Sequence, residues 1–183
     1  MRASSAVSLQ LVGLINTLTN GSSASGRQIG LRLLAAASCD AASPPLLPPN
    51  PQLTPGTAFT LTKCFAADEV ESWAALTGDS NPIHVDDAAA AAVGLAVPVL
   101  PGMLLAALFP AIIGSHFPGA VYLSQTLKFK QYAPVGHSYA ATVTVEKASG
   151  SRVRFDTVCR DATTGAAVVE GTALALIKQQ QQS

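Results

Sequence analysis

Residues 78–85 read GDSNPIHV. They set a carboxylate, Asp79, and an imidazole, His84, on either side of an Asn81-Pro82 pair. Asn-Pro favours a turn, and proline disfavours helical geometry at the residue before it, so the chain is expected to bend between the two. The bend matters, because residues five apart on a straight helix do not share a face. Around a corner, acid and imidazole can face one point. Such a pair can take a proton from one place, return it to another and hold a water molecule between. Adding or removing water across a carbon–carbon double bond beside a carbonyl needs those roles. The same letters also fit two plainer roles: Asp79 accepting a hydrogen bond inside its own turn, and His84 as a satisfied buried histidine.

The carbonyl in that chemistry must be polarised as enolate charge develops, and backbone N–H groups at a helix start can do so. Residues 93–117 carry no charged side chain. A bilayer could be crossed by that length alone. Pro98, Pro101 and Pro110 interrupt it, as do Gly94, Gly102 and Gly114, and no Lys or Arg flanks it closely. No membrane span is therefore expected. GMLLAALFPAIIGSHF, from Gly102, is apolar all round, as suits a helix wrapped in its own protein, with a kink at Pro110. Gly102, lacking a Cβ, would let a substrate carbonyl approach its N–H. Pro101, Met103, Leu104 and Ala107 are the candidate lining of an acyl slot between helix and sheet.

Strand patterns dominate after Pro118. Segments 120–130, 138–148, 151–161 and 166–178 alternate apolar and polar residues, with turns at Pro134–Gly136, Ser149–Gly150 and Thr163–Gly165. TAFTLTKCF (57–65) adds a short strand. AADEVESWAALTG (66–78) reads as a helix with acids in its first turn and Gly78 as its stop, and Asp86 or Asp87 can cap a short Ala-rich helix. The expectation is an α+β fold, one curved antiparallel sheet around one long central helix.

The 183 residues hold 11 basic and 11 acidic side chains, which argues against a bulk nucleic-acid binder. Residues 1–42 are rich in Ser, Ala and Leu, with Arg2, Arg27 and Arg32 against the single acid Asp40, the composition of an organellar transit peptide. A proline-rich linker (43–55), a folded domain (56–178) and a low-complexity tail (179–183) complete the division. The three cysteines show no metal-ligand spacing and read as free thiols, so no metal is expected. His116 and His137 read as structural or solvated. Ser124 and Ser138 lack an evident base, and no phosphate-binding glycine loop appears.

LTGDSNPIHVDDAAAA, then PGMLLAALF, then FPGAVYLSQTLKF with PVG close behind resemble the MaoC-like, R-specific enoyl-thioester hydratases and dehydratases. The resemblance covers nearly all of 57–178. It implies a hot-dog fold, usually a homodimer, with no metal or redox cofactor. It assigns Asp79 and His84 as the catalytic pair holding the reacting water, Asn81 and Pro82 as the turn between them, and Gly102 as the carbonyl donor. Two positions depart from the family pattern: Pro101 stands where a histidine is common, and Ala107 where a serine is common.

With the leader, the resemblance implies a mitochondrial (3R)-3-hydroxyacyl-thioester dehydratase acting in the matrix on an acyl carrier protein or CoA thioester in type II fatty acid synthesis. A plastid address is the runner-up. An acyl carrier protein is acidic, and Lys128, Lys130, Arg152 and Arg154 are the candidate docking residues. Cys64 to Leu127 hold six acids and no Lys or Arg, whereas Lys128 onward holds seven basic residues and four acids. Alternatives are an R-specific enoyl-CoA hydratase of β-oxidation, a non-catalytic acyl-thioester binding module, and a hot-dog thioesterase.

Overall fold

A computed structural model describes residues 53–178. The expected transit segment (1–42), most of the linker and the tail (179–183) lie outside them.

β1 (Ala58–Cys64) leads into α1 (Ala67–Thr77), which Gly78 ends in a left-handed conformation, φ 78°. Only Val70 of α1 is buried, and Leu76 is 85% exposed, so α1 is a surface helix. The Ala-rich segment forms α2 (Asp87–Ala92), capped by Asp86 Oδ1, which accepts from the Ala89 N–H at 2.9 Å.

The central helix departs from expectation. It divides at Ala107 into α3 (Gly102–Ala106) and α4 (Leu108–His116), three residues ahead of the expected kink. Pro110 has no N–H for the Ala106 carbonyl, and its ring needs the space beside that carbonyl. The helix is therefore interrupted one turn earlier, and Pro110 falls in the first turn of α4, where a missing N–H costs little.

Four strands follow: β2 (Val121–Phe129), β3 (Ser138–Ser149), β4 (Arg152–Asp161) and β5 (Ala167–Leu176). All pairings are antiparallel, in the order β1-β3-β4-β5-β2. β3 and β4 alternate buried and open residues, so Val143, Val145, Val153 and Phe155 face inward. Against them α3 and α4 set Leu105, Phe109, Ile112 and Ile113, each at most 2% exposed. Each side chain of this kind contributes about 1.5–3 kcal/mol when buried.

β2 is an edge strand with an irregularity between Tyr122 and Ser124. Further along, the Thr126 carbonyl leans over Gly171 of β5, where an added Cβ would meet it at 1.8 Å. Gln125 Nε2 donates to that carbonyl at 2.7 Å and to Thr157 Oγ1 at 3.0 Å. The Tyr122 hydroxyl donates to Gln125 Oε1. Thr126 Oγ1 accepts from the Thr172 N–H at 2.9 Å, so a side chain serves the ladder.

Cys159 is a buried free thiol, and burial pushes it up to about 12. Cys64 is disulfide-bonded, which corrects its reading as a free thiol, and Cys39 lies outside the described residues. No helix among the described residues is long and apolar enough to cross a membrane.

Candidate active site

The corner between Asp79 and His84 is built as the Asn-Pro pair requires. Asn81 Oδ1 accepts from the Ile83 N–H at 3.4 Å, and Pro82 opens a single 3-10 turn, Pro82–His84. Two bonds then fasten this turn to Val99. The Val99 N–H donates to the Ile83 carbonyl at 3.2 Å, and His84 Nδ1 lies 2.6 Å from the Val99 carbonyl oxygen. Val99 is itself held by its neighbours, because the Leu100 N–H donates to the Ala133 carbonyl and the Val135 N–H to the Pro98 carbonyl.

A carbonyl oxygen only accepts, so His84 Nδ1 carries the proton. In the neutral ring Nε2 is then an acceptor. It lies 3.8 Å from Asp79 Oδ2. That gap is too wide for a direct hydrogen bond, yet a water oxygen about 2.8 Å from each atom fits between them. Asp79 Oδ1, meanwhile, accepts from the Asn81 N–H at 3.4 Å. The plain turn-forming role and the chemical role thus fall to different oxygens of one carboxylate. The His84 side chain is 12% exposed and that of Asp79 42%.

His84 also forms part of the wall of a cavity of about 320 Å³. Its inner part is apolar and buried: Leu100, Leu105, Ala133, Val168 and Val169. Exposed Met103, Phe129 and Tyr132 surround its mouth. Gly102 lies on the wall, and no hydrogen bond among the described residues occupies its N–H. The arrangement can hold an apolar chain with its polar end between Gly102 and His84.

The structure sorts the expected slot residues. Met103 reaches the cavity, whereas Pro101, Leu104 and Ala107 are not on its wall. Gly102 and Leu105 share a helix face at i, i+3, and Leu104, one residue off, turns into the core. Pro101 is the N-cap of α3, and its carbonyl accepts from the Leu104 N–H at 3.0 Å. Sequence reasoning missed Leu105, Phe129, Tyr132, Val168 and Val169. They are ordinary apolar strand and helix letters, and nothing local marks them.

Lys128, Lys130, Arg152 and Arg154 lie toward the solvent side of the β4-β5-β2 region, but spread out. Lys128 pairs in register with Glu170 and Arg154 with Leu174, four residues apart along β5, about 13 Å. Lys130 Nζ lies 3.0 Å from Glu170 Oε1, and Arg154 Nε lies 3.7 Å from Glu146 Oε2. Such exposed pairs contribute little to stability.

The remaining histidines stand apart from the pair. His116 Nδ1 lies 2.8 Å from the Ile112 carbonyl, and its ring sits 4.6 Å from that of Phe59. His137 Nδ1 meets Asp161 Oδ2 at 3.2 Å. Among the described residues no group of three or more His, Cys, Asp or Glu side chains is placed to share a metal ion.

Comparison with known proteins shows what the chain as a whole is similar to. A family described as MaoC like domain matches residues 48–170. The mitochondrial 3-hydroxyacyl-[acyl-carrier-protein] dehydratase FERN of Solanum lycopersicum is 38% identical over 128 residues, covering 67% of this chain and 76% of that protein. An (R)-specific enoyl-CoA hydratase of Aeromonas caviae is 44% identical over 92 residues, 49% of this chain and 69% of the relative. Among solved structures, the (R)-hydratase from A. caviae involved in PHA biosynthesis superposes with a TM-score of 0.66 at 35% identity, covering 70% of this chain and 99% of that one.

Proposed function

The chain belongs to the MaoC-like domain family, and from that premise we propose that it is a hydro-lyase, a (3R)-3-hydroxyacyl-thioester dehydratase that also hydrates trans-2-enoyl thioesters. The observation that carries this is the 3.8 Å gap between Asp79 Oδ2 and His84 Nε2 at the edge of an apolar cavity. In the hydration direction a water in that gap points one hydrogen at each atom. Its oxygen bonds to the β-carbon while His84 Nε2 takes one proton. The protonated ring returns a proton to the α-carbon on the same face, and Asp79 steadies the ring charge while holding the second hydrogen. The Gly102 N–H receives the carbonyl oxygen as it gains charge. Dehydration is the reverse, and no metal or redox group is needed for proton balance.

The carrier reading rests on charge. Lys128, Lys130, Arg152 and Arg154 offer an acyl carrier protein, which is acidic, a broad basic surface that would speed encounter. The CoA thioester is the other form of substrate. A mitochondrial address, in the matrix, is supported by the leader composition and by the mitochondrial relative. A second copy of the chain is the expected partner. The edge strand β2 leaves Val121 54% and Leu123 42% exposed, an edge suited to pairing with its own copy.

A chiral product assay tests the reading. The purified chain should convert trans-2-enoyl-CoA substrates of graded length to the R-3-hydroxy product. Binding without hydration at every length would show a carrier-binding module instead, and free CoA release would show a thioesterase.

A further inference from the structure

Gly102 is a glycine for a reason other than substrate approach. A Cβ placed on it would stand 2.6 Å from Phe129 Cε1 and 2.9 Å from Phe129 Cδ1. The Phe129 ring therefore fills the space beside the Gly102 Cα on the cavity wall. It is not a loose side chain on a loop. Phe129 is the last residue of β2 and pairs in register with Val169, which is fully buried in the inner part of the cavity. The next N–H, that of Lys130, donates to the Val168 carbonyl at 2.8 Å. The backbone on both sides of the ring is thus fixed to β5, while Phe129 as a whole residue remains 51% exposed at the mouth.

We propose that Phe129 is a specificity-determining residue that rejects thioesters substituted at the α-carbon. The inference rests on the proposed hydratase chemistry. With the carbonyl oxygen on the Gly102 N–H and the β-carbon at the water between Asp79 and His84, the α-carbon lies between those two points. The Phe129 ring flanks the Gly102 end of that path. A conjugated enoyl thioester is planar, so a substituent on the α-carbon projects sideways in the molecular plane and cannot fold away. Hydrogen at that position leaves the ring undisturbed, whereas a methyl group needs the volume that the ring occupies. A single methyl group is worth roughly tenfold to two-hundredfold in discrimination at a packed site. Because the ring is carried by a strand, that discrimination is rigidly set.

The test compares crotonyl-CoA with trans-2-methylcrotonyl-CoA on the full chain and its Phe129→Leu and Phe129→Ala variants. The native protein should favour crotonyl-CoA in kcat/KM. Both variants should narrow that preference by at least about tenfold, chiefly by a rise for the methylated substrate. A preference that narrows by less in both variants overturns the proposal while leaving the hydratase reading intact. A native chain that hydrates neither substrate overturns the hydratase reading and this inference with it. The contact itself has an independent readout. Gly102→Ala should lower Tm in the native background and lower it less in the Phe129→Ala background. Equal penalties in both backgrounds would show that ring and glycine do not compete for one space, and would also overturn the proposal.

Discussion

His84 Nδ1 and the Val99 carbonyl oxygen lie 2.6 Å apart, and this contact decides what the opposite nitrogen can do. It spends the ring's one proton on the backbone and leaves Nε2 as an acceptor facing Asp79. An asparagine at position 84 can keep a donor near that carbonyl but has nothing to replace Nε2. His84→Asn is therefore expected to lower kcat by about two to four decades while changing stability by less than about 1 kcal/mol. Steady-state kinetics and thermal melts of the same preparation check both halves.

Asp79 uses one oxygen for its turn and the other for His84. Asp79→Asn preserves the shape and an acceptor for the Asn81 N–H but removes the negative charge. We expect an unchanged melting curve and a kcat lower by about two to four decades. Native-like turnover in this variant would remove the proposed proton path.

Asp161 gives the fold a pH dependence whose sign can be worked out. Burial pushes its carboxyl up, but hydrogen bonds from the Thr164 N–H, from His137 and from the Thr163 N–H outweigh it and hold the group below its ordinary 3.8. A carboxylate depressed in the folded state contributes stability above its unfolded value and loses it as pH falls through the folded one. Asp161→Asn should thus lower Tm near neutral pH, and the penalty should shrink as pH drops below 3.8. Melts across that range would show the two curves converging.

Gly171 has no room for a side chain, since an added Cβ would meet the Thr126 carbonyl at 1.8 Å. The obstacle is backbone, so β2 must move as a unit. Gly171→Ala is expected to cost at least the roughly 1–3 kcal/mol typical of overpacking. Denaturation by urea would give the loss, and amide exchange would place it in the β2–β5 pairing.

Local features of the fold were legible because they are written locally. Gly78 ends α1, Asp86 caps α2, and the alternation in β3 and β4 marks their inward faces. The 3-10 corner followed from Asn81 and Pro82 for the same reason. Pro110 announced an interruption of the central helix, but its clash is with a carbonyl one turn back, so the division falls at Ala107. Two determinants of the site left no trace. The Val99 tether uses a backbone carbonyl, which any residue supplies. The ring of Phe129 meets Gly102 only because β2 crosses to pair with β5, a long-range event that no window of sequence contains. Leu104 was expected on the slot and Leu105 found there, because a helix rotates about 100° per residue and which flank meets the sheet is set by the sheet.

Asp79 is the open member of its pair, 42% exposed against 12% for the histidine, and it is absent from the cavity wall that His84 helps to form. In the proposed reaction the two reactants therefore need not share one route. Fatty chains thread through the greasy interior, whereas replacement solvent reaches the carboxylate directly from outside. Product water can leave, and a fresh molecule can settle, with the hydrocarbon tail still seated.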